Sequence, residues 1–288
     1  VKISTSLVYI RRLVDLLMPL PTCMENNNTD TGFATKAVHS GMVEIEGAAS
    51  TPIFLSSTYR LTDEKYKGWA EGLHHSVVYS RISSINSEVV SAKLAALEGA
   101  EDAEVFSSGM AAISTTLLTL LSKGDHIIAT PDCYGGTYAL LTDILPRMGI
   151  EVTMADIRDP ASYQQAIQEN TKVLYVETMT NPTLKVCDLS AMAELAKENN
   201  LISVVDNTFV SPWSCNPTKM GFDIVIHSGT KYLGGHSDLT AGFVAGKKTL
   251  VAEIFHNKIY LGGAADPHMC YLLERGMRTL HARMPIHA

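Results

Sequence analysis

Short apolar runs alternate with longer amphipathic segments from Ser87 towards the end of this 288-residue chain. Brief β-branched runs bounded by turn residues indicate strands, and apolar positions repeating every three to four residues indicate helices. Strands are predicted at 126–130, 151–155, 172–177, 201–206 and 223–227. Helices are predicted at 88–97, 110–121, 137–148, 161–169, 189–199, 250–256 and 269–280. Because strand–helix units repeat, the pattern predicts an α/β fold with a mostly parallel sheet covered by helices.

Charged residues stand at the ends of two predicted strands. Asp206 closes the strand at 201–206, and Lys231 follows the next strand in the loop Ser228-Gly229-Thr230-Lys231-Tyr232. Ligands bind beyond the carboxyl ends of the strands in such sheets, where we expect Asp206, Glu177 and the loop at Ser107 to meet. An amine and a carboxylate so placed suit pyridoxal phosphate. The amine attaches to the cofactor aldehyde, and the carboxylate keeps the ring nitrogen protonated. We expect Lys231 to be buried, because burial lowers a lysine pKa and frees the amine.

A small-residue loop, Ser107-Ser108-Gly109-Met110-Ala111-Ala112, opens the helix predicted at 110–121. Free backbone amides and the positive end of a helix attract anions, and glycine allows a phosphate to approach closely. Ser228 and Thr230 could add hydroxyl groups from the lysine loop. Together these residues predict a phosphate-binding cup.

Three stretches carry a family resemblance: VVDNTF followed by SP, HSGTKYLGGHSD, and the upstream SSGMAAI. They resemble the Cys/Met-metabolism PLP-dependent enzymes, the family of cystathionine γ-lyase and methionine γ-lyase, and the likeness runs from about residue 35 to about residue 283. The resemblance implies a fold-type-I PLP-dependent transferase-like fold, with pyridoxal 5'-phosphate as cofactor.

The resemblance also implies roles for individual residues. Lys231 would hold the cofactor and move the substrate α-proton, Asp206 would face the ring nitrogen, and Tyr134 would stack on the ring and exchange protons with the leaving group. Asn181 would bond the ring hydroxyl. The phosphate would be bound by Ser108, Gly109, Met110, Ser228 and Thr230.

Tyr79-Ser80-Arg81 resembles the family's Tyr-x-Arg phosphate clamp, which enters the active site of a neighbouring subunit. An arginine suits a phosphate because its planar fork makes two parallel hydrogen bonds. The family usually continues into Asn-Pro-Thr, whereas this chain has Ser84-Ile85-Asn86. The resemblance implies a homo-oligomer, a dimer of dimers with shared active sites.

The implied reaction is carbon–sulfur bond cleavage in a small sulfur-containing amino acid. Methionine-cleaving members characteristically carry cysteine two places after the stacking tyrosine, and this chain has Gly136 there, as cystathionine-processing members do. We therefore expect cystathionine γ-lyase-type elimination, which gives a thiol amino acid, a 2-oxo acid and ammonia. The alternatives are methionine γ-lyase, cystathionine γ-synthase and cystathionine β-lyase. A catalytically incompetent fragment is the alternative from another class.

Four segments are predicted along the chain. Residues 1–34 form an N-terminal extension, of which 1–23 need not be native because Met24 looks like a more natural start. Residues 35–86 form an arm that contacts a neighbouring subunit, and residues 87–280 form the PLP-binding large domain. Residues 281–288 begin the family's small C-terminal domain, which is otherwise absent from this sequence together with the arginine that pairs with the substrate carboxylate.

Charge and cysteine content restrict the partners and the compartment. A formal charge of −7 and a pI near 5.8 argue against nucleic acid or an anionic membrane as the main partner. Five widely spaced cysteines without a C-x-x-C pair favour a reducing, cytoplasmic location. His227 and His236 lack a carboxylate or cysteine at ligand spacing, so no metal site is predicted.

Overall fold

The computed structural model describes residues 31–63, 66–67 and 77–287. Residues 1–30 of the predicted extension, residues 64–65 and 68–76 of the predicted arm, and Ala288 lie outside these ranges. The strands are β1 (Asp102–Phe106), β2 (His126–Ala129), β3 (Glu151–Met154), β4 (Thr171–Glu177), β5 (Ile202–Asp206), β6 (Ile224–Ser228) and β7 (Gly242–Gly246). The helices are α1 (Phe33–His39), α2 (Ile85–Glu98), α3 (Gly109–Leu120), α4 (Gly135–Ala139), α5 (Leu145–Arg147), α6 (Pro160–Ala166), α7 (Leu189–Glu198), α8 (Ser211–Ser214), α9 (Lys248–Leu261), α10 (Pro267–Arg278) and α11 (Leu280–His287). A π-helical turn, Leu140–Ile144, joins α4 to α5, and a 3-10 turn spans Pro217–Met220.

The seven strands form one mixed sheet in the order β1-β7-β6-β5-β4-β2-β3. The β6–β5, β5–β4, β4–β2 and β2–β3 pairs are parallel, whereas β7 runs antiparallel to both β1 and β6. The prediction of a mostly parallel, helix-covered sheet is therefore confirmed. The carboxyl ends of β4, β5 and β6 lie at one edge, and the start of β7 lies at the same edge because its direction is reversed.

Alternate strand residues face two helical layers, as the period of two in a strand requires. Val204, Ile226 and Val244 face the layer that contains α3 and α9. Their chain neighbours face the opposite layer, where α2 and α10 cover the β1–β7 end and α6 and α7 cover the β4–β5 end. Helices cover both faces of the sheet, so the central residues of most strands are buried on both sides.

Helix α2 begins and ends at residues whose local chemistry favours a boundary. The Ser84 hydroxyl accepts the Ser87 N–H at 3.1 Å, and Ser87 Oγ accepts the Ser84 N–H at 2.8 Å, which forms a capping box. Gly99 ends the helix in the left-handed region, at φ 68°, where a residue without Cβ is favoured. The observed helix starts three residues before the predicted one because this cap lies outside the apolar pattern.

Two buried lysines join a helix to a neighbouring element, one to the sheet and one to another helix. Lys258 of α9 pairs with Glu104 of β1, and both side chains are almost fully buried. Lys93 of α2 is completely buried and donates to the carbonyls of Ala37 and Val38, at 3.0 and 3.1 Å, in the last turn of α1. Burial lowers the pKa of Lys93 to about 8.

The four-segment division of the chain stays a prediction. Within the predicted arm, α1 packs its buried Ala37 into the apolar cluster that also contains Leu94 of α2 and Leu273 of α10. None of the helices among the described residues has both the length and the apolar character needed to cross a membrane.

Candidate active site

A cavity of about 260 Å³ opens at the edge of the sheet where β4, β5 and β6 end. Ligand sites in α/β folds lie in this position. The cavity is lined by Ser108, Gly109, Met110, Ile113, Tyr134, Glu177, Met179, Asn181, Asp206, Thr208, Phe209, Ser228, Thr230, Lys231 and Thr240. Of the site residues predicted from the sequence, all except Tyr79 and Arg81 therefore surround one space.

Lys231 lies on the loop that joins β6 to β7, and this loop is held by its own backbone. The Lys231 N–H donates to the Ser228 carbonyl at 3.2 Å, and the Lys231 carbonyl accepts the Gly235 N–H at 2.7 Å. Thr230 Oγ1 accepts the Ala241 N–H at 3.0 Å, which ties the loop to the start of β7. The expectation that Lys231 is buried is wrong for this chain by itself, because the side chain is exposed where the cavity opens.

Asp206, at the end of β5, lies on the cavity floor. Its Oδ1 accepts the Thr208 N–H at 2.9 Å, and Thr208 Oγ1 in turn accepts the Ser228 N–H at 2.7 Å. Burial raises the pKa of the Asp206 carboxyl, while the bonds from Thr208 and the nearby His227 act in the opposite direction. A cation placed against Asp206 would reverse the effect of burial, because an opposite charge favours the ionised form.

The predicted phosphate cup is formed by the start of α3 and the end of β6. Ser108 caps α3 by accepting the Ala111 N–H at 3.1 Å, and the Gly109 and Met110 amides before it have no acceptor within the helix. A Cβ at Gly109 would lie 3.0 Å from the Ser228 Cβ, and a Cβ at Gly242 would lie 2.1 Å from the Ser108 carbonyl oxygen. Both glycines thus allow the α3 start to approach the sheet edge.

Tyr134 is the N-cap residue of α4, lines the cavity and is half-exposed. Its N–H donates to Glu177 Oε1 at 2.8 Å, which fixes the main chain beside the ring. Glu177 ends β4, is 4% exposed and stands opposite Asp206 in the strand register. Burial, together with the negative charge of Asp206, raises the pKa of Glu177 to about 8, whereas hydrogen bonds from the backbone of Tyr134 and Asn181 act in the opposite direction.

Tyr79 and Arg81 do not line the cavity of their own chain. Tyr79 bridges to Thr58 in the arm, and its ring is 40% exposed. Arg81 lies against the Tyr79 ring at 5.5 Å and donates from Nη1 to the Ile259 carbonyl at 2.5 Å. Their assignment as a clamp for a neighbouring subunit therefore stays a prediction.

The two histidines of the lysine motif have local partners. His227 is buried against Glu98, with Nε2 2.5 Å from Oε1, and His236 Nδ1 lies 2.8 Å from the Gly234 carbonyl oxygen. Within the described ranges, no group of three or more His, Cys, Asp or Glu side chains is arranged to hold a metal ion.

Thr208 was not predicted as a site residue, and Glu177 was expected near the site but had no predicted role. Thr208 could have been found, because it lies two residues after a strand-end aspartate, where turn hydrogen bonds of this kind are common. The Glu177 contacts could not be inferred, since they join a strand end to the Tyr134 loop more than forty residues earlier.

The donor set of the cavity fits pyridoxal phosphate. An amine, a strand-end carboxylate, an aromatic ring and a cup of amides and hydroxyls surround a space of small-ligand size. Together with the mixed sheet, these features match the fold-type-I class of PLP-dependent proteins.

Comparison with known proteins identifies the family. Residues 34–288 match the family described as Cys/Met metabolism PLP-dependent enzyme, and the chain belongs to it. The chain is 41% identical over 262 residues to an L-methionine gamma-lyase of Porphyromonas gingivalis, covering 89% of this chain and 66% of that protein. It is 42% identical over 253 residues to a cystathionine gamma-lyase of Bacillus subtilis, covering 87% of this chain and 65% of that protein.

A solved structure shares the fold. The crystal structure of cystathionine gamma-lyase from Lactobacillus plantarum complexed with L-serine superposes with a TM-score of 0.81 at 40% identity, covering 88% of this chain and 65% of that one. The chain thus spans just under two thirds of the length of these relatives. The family resemblance and the cofactor expected from the sequence are confirmed.

Proposed function

We propose that the complete protein is a PLP-dependent carbon–sulfur lyase that acts on a small sulfur-containing amino acid. The observation that carries the proposal is the convergence of Lys231, Asp206 and the phosphate cup on one cavity. Relatives named cystathionine gamma-lyase, L-methionine gamma-lyase, probable cystathionine gamma-synthase and cystathionine beta-lyase, at about 40% identity, support the reaction class.

Each residue around the cavity has a separate role in binding the cofactor or in moving a proton. When bound, pyridoxal phosphate supplies an aldehyde for an amine and a ring that accepts electrons. Lys231 Nζ would hold the cofactor and, once the substrate amine has displaced it, would take the proton from the substrate Cα. The Asp206 carboxylate holds the proton of the ring nitrogen, and the amides after Ser108 with the Ser228 and Thr230 hydroxyls bind the phosphate.

Two further side chains orient the ring and assist the departing group. The Tyr134 ring stacks on the cofactor, and its hydroxyl donates a proton to the departing sulfur. Asn181 lies across the cavity and bonds the ring hydroxyl. The carbon–sulfur bond is broken and the carbon–nitrogen bond is hydrolysed by one water, so the products are a thiol amino acid, a 2-oxo acid and ammonia.

Cystathionine is the proposed substrate because Gly136 stands where methionine-cleaving members of the family characteristically carry cysteine. A Cβ at this position would lie 2.7 Å from Tyr134 Cε1 and 2.9 Å from Met110 Sδ, so any side chain there displaces one of them. Methionine is the alternative substrate, and replacement or β-elimination is the alternative reaction. A fragment that binds the cofactor without turnover is the alternative of another class.

The proposal extends to assembly and location. A dimer of dimers with shared sites is supported by Tyr79 and Arg81, which lie outside the cavity of their own chain. A cytoplasmic location is supported by the unpaired Cys133, Cys187, Cys215 and Cys270.

The test is cofactor binding followed by turnover in the complete polypeptide. Added pyridoxal phosphate should give a visible absorption band, and borohydride should fix it to the peptide that contains Lys231. Cystathionine should then release thiol and 2-oxo acid faster than methionine does. Lys231→Ala should abolish both signals, and Lys248→Ala, which changes an exposed lysine outside the cavity, should not. Labelling of another peptide would refute the site assignment, and binding without turnover of any sulfur amino acid would favour the fragment.

A further inference from the structure

Glu177 is a buried carboxyl that lines the cavity but has no part in the roles assigned above. It is the last residue of β4, and its register partner on the adjacent strand is Asp206. Neighbouring strands lie about 4.8 Å apart, so the two carboxyl groups leave the sheet edge side by side. Burying two like charges at this spacing is unfavourable, and such a pair shares one proton.

The contacts of Glu177 reach two different loops. Oε1 accepts the Tyr134 N–H at 2.8 Å, and the Asn181 backbone also hydrogen-bonds this carboxyl. Tyr134 follows β2 and Asn181 follows β4, so one side chain joins the segments that carry the proposed stacking ring and the proposed hydroxyl-binding amide.

A second link joins the same two loops at the surface. Lys185 Nζ lies 2.5 Å from Asp132 Oδ2, and both side chains are about one quarter exposed. The loop that contains Lys185 is itself tight, because Thr180 accepts the Lys185 N–H at 2.9 Å and its own N–H donates to the Lys185 carbonyl at 3.0 Å. The Lys185–Asp132 ion pair thus joins the two loops at the surface, and Glu177 joins them at the cavity wall.

We propose that Glu177 is a positioning residue that acts as a neutral acid, holding the Tyr134 and Asn181 backbones so that both side chains face the cofactor ring. As a neutral acid it leaves the negative charge of the pair on Asp206, which needs that charge to face the ring nitrogen. Besides Asp206, the Cys133 thiol lies near this carboxyl, and it is buried with a pKa raised to about 12, so it stays uncharged. This role rests on the proposed function, because it is defined by the cofactor ring.

The substitutions separate hydrogen bonding from charge. Glu177→Gln keeps an oxygen that accepts the Tyr134 N–H and cannot ionise, whereas Glu177→Ala removes the acceptor and leaves a buried N–H unpaired. Glu169→Ala, in an exposed turn, is the matched control. If Glu177→Ala does not fold, Glu177→Asp replaces it, because the shorter side chain withdraws the oxygen by one methylene.

The first measurement needs no cofactor. Hydrogen exchange of the Tyr134 amide in the cofactor-free protein should match wild type in Glu177→Gln and Glu169→Ala, and should be about tenfold faster or more in Glu177→Ala. The second measurement is the dissociation constant for pyridoxal phosphate. It should stay within about threefold of wild type in Glu177→Gln and rise about tenfold in Glu177→Ala.

The outcomes distinguish this role from the proposed function. Unchanged Tyr134 exchange in Glu177→Ala would overturn the positioning role while leaving the cofactor proposal intact. A Glu177→Gln protein as impaired as Glu177→Ala would show that the charge is needed, which also overturns it. Failure of the wild-type protein to take up pyridoxal phosphate would refute the proposed function and this role together.

Discussion

Gly242→Ala is expected to displace the phosphate cup. The first residue of β7 lies against the start of α3, where a Cβ would stand 2.1 Å from the Ser108 carbonyl oxygen, 2.5 Å from its carbonyl carbon and 2.9 Å from the Gly109 nitrogen. All three atoms are backbone, so no flexible side chain can move away. Since real Cβ contacts under 3.0 Å essentially never occur, strand and helix start must separate by about 0.9 Å.

The energetic effect follows from this separation. Overpacking of this kind destabilises a fold by about 1–3 kcal/mol. The displaced amides are those proposed to bind the phosphate, and each 1.4 kcal/mol lost in binding corresponds to about a tenfold weaker affinity. We expect Gly242→Ala to lose about 1–3 kcal/mol of unfolding free energy and to bind pyridoxal phosphate about tenfold more weakly.

Urea denaturation and cofactor titration measure the two effects separately. Gly32→Ala is the control, because a Cβ there meets no atom within 4 Å. If Gly242→Ala does not fold, Gly109→Ala probes the same cup with less strain, since its Cβ would lie 3.0 Å from the Ser228 Cβ and not 2.1 Å from a backbone oxygen. Wild-type affinity in a correctly folded Gly242→Ala protein would refute the assignment of the cup.

Two further predictions concern a buried lysine and the neighbouring subunit. Between pH 8 and 10.5 the unfolded chain holds more protons at Lys93 than the folded chain, so the wild-type free energy of unfolding should rise with pH in this window, and the Lys93 contribution should stay constant below it. Lys93→Met should remove that part of the rise. Unfolding free energies from urea melts that rise equally with pH in wild type and in Lys93→Met would contradict the prediction. Arg81→Ala should weaken cofactor retention about tenfold to a hundredfold, because a charge-assisted arginine–phosphate bond contributes about 1.5–3 kcal/mol. Mixing Arg81→Ala chains with Lys231→Ala chains should restore activity in hybrid dimers, and no activity after verified subunit exchange would exclude a shared site.

Much of the sheet was predictable from the sequence because most strands are short, β-branched and followed by polar turns. The run ending at Asp206 illustrates this: its apolar residues predict the strand, and the aspartate marks the edge where a ligand binds. The prediction of the lysine loop relied on the same logic, strengthened by family motifs around Lys231.

Strands β1 and β7 and the inner contacts were not predictable. Strand β1 contains Glu104, whose burial makes sense only beside Lys258 from a helix far along the chain. Strand β7, Gly-Phe-Val-Ala-Gly, is short and bounded by glycines, and its reversed direction is fixed by pairing with two neighbours. Such pairing depends on tertiary context, which local patterns do not contain.

Because β7 runs antiparallel to β6, the lysine loop is closed by a contact between two consecutive strands. Strands β6 and β7 are consecutive in the chain and hydrogen-bonded to each other, so the ends of the loop at 229–241 are joined as in a long hairpin. Closing such a loop costs little conformational entropy because its ends are near each other in the sequence, and this cost rises only slowly with loop length. The cup at Ser108 depends instead on the pairing of Phe106 with Gly242, which lie much farther apart in the sequence. The amine and the hydroxyls beside it thus belong to a local, low-contact-order part of the fold, whereas the amides at the start of α3 belong to a part with high contact order.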